Sequence, residues 1–230
     1  DSASVWHEVS RAYGLHRLVW GNNQYVGVGE GGAIVTSPDG INWSRQNSGS
    51  TVTLYGVEWT GTQYVAVGMH KTILTSPDGE NWTLRMYELS GMTLYGVASS
   101  GTNIVAAGSE YSTRTVEIYV SNDGINWGNT YHEELAGSLN SVRWVAKHNQ
   151  YVAVGGYPLV LTSSVTGANW IKQANSIGVP GELADVAYSG SNYAAVGYGI
   201  TAVSTDGINW TGTTTNWGAA GIVWSGNRFV

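Results

Sequence analysis

Proton-transfer chemistry would need paired carboxylates, and the chain offers Glu133 and Glu134 beside His132. A glycosidase sets two carboxyl groups across a cleft. Neighbours on an extended segment point apart instead, and Glu88 and Glu182 belong to other repeats. The histidines, at 7, 16, 70, 132 and 148, show no metal-binding spacing. There are no cysteines, which removes thiol nucleophiles, disulfides and thiolate metal sites. Gly-Xaa-Gly patterns sit at strand ends rather than in a phosphate-cradling loop. The chain is expected to be non-enzymatic and to carry no cofactor and no metal.

Binding chemistry is better represented. Tyr87, Tyr111, Tyr131, Tyr157, Tyr198 and Trp217 fall in irregular segments, with His132 beside one of them. These segments include 69–71, 85–88, 109–115, 129–134, 155–158 and 175–182. Aromatic planes next to Asn, Glu and His suit peptides or sugars, and irregular loops on a regular scaffold are where binding resides. Arg17, Glu58, Arg143 and Asp185 form a second group. All four lie on one alternating face of equivalent strands, where mutual salt bridging is the expected role.

Composition narrows the partners. The net charge is −6 with only 11% charged residues, and no basic run exists. Phosphate neutralisation on nucleic acid or an anionic membrane is therefore not expected. No stretch is long and apolar enough for a spanning helix. The absence of cysteine does not fix the compartment.

The segment YVAVGMHKTILTSPDGENW at 64–82 recurs at 25–43 and 193–210, with an insertion at 104–127 and in worn form at 151–170. Each repeat reads as four short strands separated by Gly, Asn and Asp turns. In the second copy these are 54–59, 64–67, 72–75 and a fourth starting at Trp82. The recurring Trp stands at 6, 43, 82, 127, 170 and 210, so the period is 37 to 45 residues. That is the size of one β-propeller blade. The expected fold is all-β: one propeller domain over 1–230, of four-stranded antiparallel blades packed radially. Cut at the Trp, the repeats run 7–43, 44–82, 83–127, 128–170 and 171–210. A closing blade is expected from 211–230 plus 1–6, with Val5 to Val9 supplying a fourth strand. Six blades are predicted, with five or seven as alternatives, and no helix.

The SPDGINW stretch resembles the Asp-box, or BNR, repeat of sialidase-like propellers. The tandem spelling is also similar to bacterial secreted or surface propellers and to photosystem II assembly-factor-like repeats. The matching residues are Asp39 and Trp43, Asp78 and Trp82, Asp123 and Trp127, and Asp206 and Trp210. The fourth copy has Thr166 in place of Asp, and the turns are one residue shorter than the usual pattern. The resemblance implies a peripheral, structural turn, away from the functional face. Asp can accept nearby backbone N–H groups, and Gly allows positive φ. One carboxylate per turn is too few ligands for calcium. The Asn-Xaa-Ser/Thr triplets at 42, 81 and 209 are generated by the same repeat.

A sialidase would need three converging arginines and a Tyr–Glu pair, and the arginines lack that framing. The expected function is a secreted or surface-displayed binding or scaffold module for a protein or a cell-surface glycan. It would dock through the variable loops of one face. A lectin with repeated sugar pockets is the alternative, disfavoured because the loops do not repeat. A degenerate sialidase-like glycosidase stands third.

Overall fold

The structure is a computed structural model that describes residues 2–134, 136–173 and 177–230. Helix α1 spans Ser2–Tyr13, and five antiparallel sheets follow. Sheet 1 contains β1 (Leu15–Gly21), β2 (Gln24–Gly29), β3 (Ile34–Ser37) and β4 (Ser44–Gln46). Sheet 2 contains β5 (Leu54–Trp59), β6 (Tyr64–Gly68), β7 (Ile73–Ser76) and β8 (Thr83–Met86). Sheet 3 contains β9 (Met92–Ser99), β10 (Ile104–Glu110), β11 (Thr115–Ser121) and β12 (Gly128–Glu133). Sheet 4 contains β13 (Ser141–Val145), β14 (Gln150–Val154), β15 (Val160–Ser164) and β16 (Trp170–Lys172). Sheet 5 contains β17 (Glu182–Tyr188), β18 (Tyr193–Ser204) and β19 (Trp210–Gly218). Strand β18 takes in both the second and third stretches of the repeat, with Gly199 at φ +75° between them. Each sheet follows chain order, as short turns between antiparallel neighbours dictate.

The first strands converge. Residues of β1, β5, β9, β13 and β17 line one central cavity, joined by Ala220. The core is the set of interfaces between successive sheets. Val26, Val28 and Ile34 of sheet 1 pack on Leu54, Val57 and Tyr64 of sheet 2. The same pairing links sheets 2 and 3, 3 and 4, and 4 and 5. Second strands bury both faces, which explains their near-continuous apolar spelling.

Two repeated polar contacts lock neighbours together. The second-strand Tyr reaches the preceding sheet: the Tyr64 hydroxyl donates to the Gly21 carbonyl, and Tyr151 to Asn103 O at 2.6 Å. In the other direction, a side-chain amide before that Tyr donates into the next sheet's Asp-Gly turn. Gln24 reaches Asp78 O, Gln63 reaches Asp123 O at 2.8 Å, and Gln150 reaches Asp206 O at 2.7 Å. Asn103 makes the corresponding bond to Val165 O at 3.2 Å.

The turns themselves are built on the carboxylate. Asp78 accepts the Ser76 hydroxyl, the Glu80 and Asn81 N–H groups and the Asn81 side-chain amide, all within 2.9 Å. Asp39, Asp123 and Asp206 repeat this set, and each Trp indole donates to the turn Gly carbonyl. The Asn81 N–H leads in holding the Asp78 carboxyl well below the usual carboxylate range. Asp78→Ala is expected to cost about 1–2 kcal/mol, limited by solvent around the turn. Because the folded carboxyl is depressed, that contribution is present above about pH 4 and disappears as pH falls through the lowered value. Urea melts of the two proteins should therefore differ at pH 7 and converge in strong acid. In the fourth copy Thr166 Oγ1 meets Ser164 Oγ at 3.1 Å and accepts Ala168 N–H at 3.4 Å, fewer bonds than the carboxylate makes in the other turns. Thr166→Asp is expected to raise the thermal midpoint.

The N-terminal expectation is corrected. Val5 to Val9 is not a fourth strand: Ser2–Tyr13 is an α-helix, ended by Gly14 at φ +53°. No strand among the described residues pairs with it. A helix satisfies its own backbone groups where a lone strand cannot. Residue 1 lies outside the described residues. The closing unit expected from 211–230 plus 1–6 is not formed in that way. Residues through Gly218 belong to β19, and Ala219, Ile222 and Phe229 pack on Ala194 and Val196 of sheet 5. Val223 and Val230 exchange backbone hydrogen bonds around a Trp224–Phe229 bridge. Strand β1 of sheet 1 is more open than its counterparts, with Leu18 36% and Trp20 52% exposed, although Val35 on the same face as Leu18 is fully buried.

Candidate functional site

A groove of about 600 Å³ opens where connections of sheets 3, 4 and 5 meet. Tyr111 and Arg114 come from the β10–β11 connection, and Tyr157 and Pro158 from β14–β15. Ser138 and Pro180 come from the segments that lead between sheets, and Glu182 opens β17. Tyr111 is 90% exposed and Tyr157 71%. The Arg114 guanidinium lies 5.4 Å from the Tyr157 ring centroid, and Nη1 donates to its hydroxyl at 3.0 Å. Arg114 and Tyr157 have φ of +55° and +70°, uncommon for residues with side chains. The floor is backbone. Gly156 N–H donates to Ser138 O, Leu183 N–H to Gly155 O, and Gly137 N–H to Arg114 O. A Cβ on Gly137 would stand 2.9 Å from Gly156 O, so that approach requires glycine.

Glu182 forms the inner end. Its Oε1 accepts Ser138 Oγ at 3.2 Å and Asn140 Nδ2 at 3.1 Å. Asn140 also lines the central cavity, so groove and channel mouth share a wall. At that mouth lie the residues that follow the recurring Leu at 15, 54, 94, 139 and 183: His16, Tyr55, Tyr95, Asn140 and Ala184. Tyr55 stacks between His16 at 4.7 Å and Tyr95 at 5.0 Å. Burial, then Tyr55, raises the Tyr95 phenol, and Glu182 is near enough to add to that.

Deeper in the channel the four expected charges meet. Arg17 Nη1 and Arg143 Nη2 lie 3.2 and 3.3 Å from Asp185 Oδ2. Asp185 also accepts Ser141 Oγ at 2.6 Å and the Val186 and Ile222 N–H groups. Burial pushes its carboxyl up, but the two guanidiniums outweigh that and hold it below the usual range. Glu58 shifts the other way: burial raises it, and Arg143 and Arg17 only partly offset this. The cluster is thus a buried ion network at the axis.

No family model matches the sequence, and no curated protein matches it. Solved structures do match. A chain in the crystal structure of the nidogen/laminin complex superposes with a TM-score of 0.63 at 12% identity, over 90% of this chain and 83% of that one. A structure of YCF48 bound to D1 peptide gives 0.57 at 16% identity, over 74% and 56%. YCF48 from Cyanidioschyzon merolae gives 0.53 at 18% identity, over 74% and 59%. The chain thus spans little more than half the length of the two YCF48 structures.

The fold is a β-propeller.

On this propeller the expected contact residues do not form one surface. Tyr111 and Tyr157 share the groove. Tyr87 stands 6.0 Å from the His70 ring beside sheet 2. Tyr198 and Trp217 are exposed on sheet 5, near the Tyr198–Gly218 pairing. Tyr131 is half-buried and donates to Glu133, which also pairs with Lys172 at 2.9 Å. His132 Nδ1 lies 3.2 Å from Glu117, itself bonded to Lys71 at 3.1 Å and to the Tyr119 hydroxyl at 2.6 Å. His132 and Glu133 therefore join different contacts, as adjacent residues of a strand must. In the expected linker 175–182, residues 175 and 176 lie outside the described residues. The sequence reading did not single out Arg114, Pro158, Pro180 or the rings at His16, Tyr55 and Tyr95. The position after the recurring Leu of each repeat was the available signal for those three rings.

Proposed function

We propose that this propeller is a non-catalytic binding module that docks an extended segment of another protein in the groove between Tyr111 and Tyr157. The observation that carries this reading is the pair of open rings on a paired backbone floor. Such concave, aromatic-lined sites with a few polar groups are what recognition requires. Glu182 is the one carboxylate among the lining residues, whereas glycoside hydrolysis calls for two. The printed descriptions of the neighbours, a complex with laminin and a bound D1 peptide, lend support by analogy of fold alone. Kinship with Asp-box propellers and a secreted or surface location belong to the same proposal. A glycan is the second occupant: the rings could stack a sugar beside Ser138 and Glu182. The groove is built from loops that do not repeat from sheet to sheet, which disfavours a lectin with one pocket per blade.

The test is selection from a random peptide display library, run beside a glycan array. Enriched peptides are expected to lose at least about 1–2 kcal/mol of affinity on Tyr157→Ala or Tyr111→Ala, with far-UV spectra unchanged. Peptides that bind both variants normally, or a defined sugar on the array, would move the site or its ligand.

A further inference from the structure

We infer that the groove selects a basic, proline-containing segment in an extended left-handed conformation, its Arg or Lys seated on Glu182. The inference rests on the docking reading above. First, the walls present rings and prolines: Tyr111, Tyr157, Pro158 and Pro180. Polyproline-type segments dock in grooves of this kind. Second, the backbone of the floor is already in use. Gly156 is bridged to Glu182, and the Gly156, Gly137 and Leu183 N–H groups are bonded within the protein. An incoming β-strand would find few free partners there. A polyproline helix needs none, because its own backbone stays solvated and ring contacts carry the binding.

Third, the two ends of the groove differ in charge. Arg114 at the outer end is committed to Tyr157 through its stacking and its hydrogen bond. Glu182 at the inner end accepts only neutral donors, Ser138 and Asn140. No Lys, Arg or His among the described residues lies within ion-pair distance of it. An exposed carboxylate held in place by two neutral donors is arranged to receive a cation. The net charge of −6 steers such a ligand inward.

The experiment uses three labelled decapeptides of alternating Pro and Leu, identical except for one Arg, Gln or Glu near the C-terminal end. Their binding is followed by fluorescence anisotropy at two salt concentrations. The Arg peptide is expected to bind about tenfold tighter than the Glu peptide at low salt, and this ratio should shrink as salt rises. Glu182→Gln should bring the ratio near one. Tyr157→Ala should weaken all three, and thermal melts verify that each variant is folded. Glu182 is exposed, so its substitution is not expected to affect folding. Equal affinities that depend on the two tyrosines would overturn the charge preference and leave the docking reading standing. Discrimination that survives Glu182→Gln would overturn the assignment of Glu182. If no peptide binds, or binding ignores both tyrosines, the polyproline inference falls; display-selected peptides that still need the rings would keep the docking reading.

Discussion

Asp185→Ala is expected to destabilise the protein by about 3 kcal/mol. The side chain is 2% exposed and holds Arg17 of β1, Ser141 and Arg143 of β13, and the backbone N–H groups of Val186 in β17 and Ile222 in the C-terminal stretch. Removing it leaves two guanidiniums near each other without their shared anion. Both keep 31% exposure, so water recovers part of the cost and the figure lies at the lower end for buried pairs. Because the folded carboxyl is held below its ordinary value, its contribution is complete above about pH 4 and is lost as pH falls through the depressed value. Urea titrations at pH 7 and in strong acid check both the size and the sign. A loss under about 1 kcal/mol at pH 7 would mean that the axial network is not a structural tie.

The second large effect is an asymmetry between equivalent positions. Val57, Val97, Val142 and Val186 each stand three residues after the recurring Leu of their repeat, at 54, 94, 139 and 183, and are all buried between sheets. Leu18 occupies the same place in β1 and belongs to no buried cluster among the described residues. Val57→Asp should therefore cost more than about 4 kcal/mol, by putting an unpaired carboxylate into a dry interface. That is enough to unfold a domain of ordinary stability. Leu18→Asp should cost about 1 kcal/mol or less, since its carboxylate stays in water. Circular dichroism melts decide the matter. An equal collapse of both variants would mean that Leu18 is covered in solution.

These contrasts show where sequence reasoning worked. The Tyr-Val-Ala-Val-Gly spelling led to the second strand of each repeat, and the structure gives the reason for its apolar run, since that strand is buried on both faces. The Asp-Gly-Xaa-Asn-Trp spelling led to turns whose local hydrogen bonds lie within four residues of each other. The axial charges were also legible, since strand alternation puts equivalent positions of every repeat toward the centre. The N-terminal segment misled. It carries a Trp at the right period, but no neighbouring strand was there to pair with it, and the helix closed its own hydrogen bonds instead.

The candidate site was only half legible. Tyr111 and Tyr157 stood out as rings in irregular loops. Nothing in the one-dimensional order said that they would meet each other while Tyr87, Tyr198 and Trp217 would not. Arg114 was passed over because its role depends on a ring 43 positions away.

By itself, then, the sequence determined the repeating sheet, its turns and the ionic centre, because each of these follows from interactions within one repeat or from its recurrence. The tertiary structure alone decided which loops converge into a groove, which strands are buried on both faces and how the N-terminal residues fold. Those outcomes depend on contacts between segments far apart in the chain, and such contacts leave no period to read.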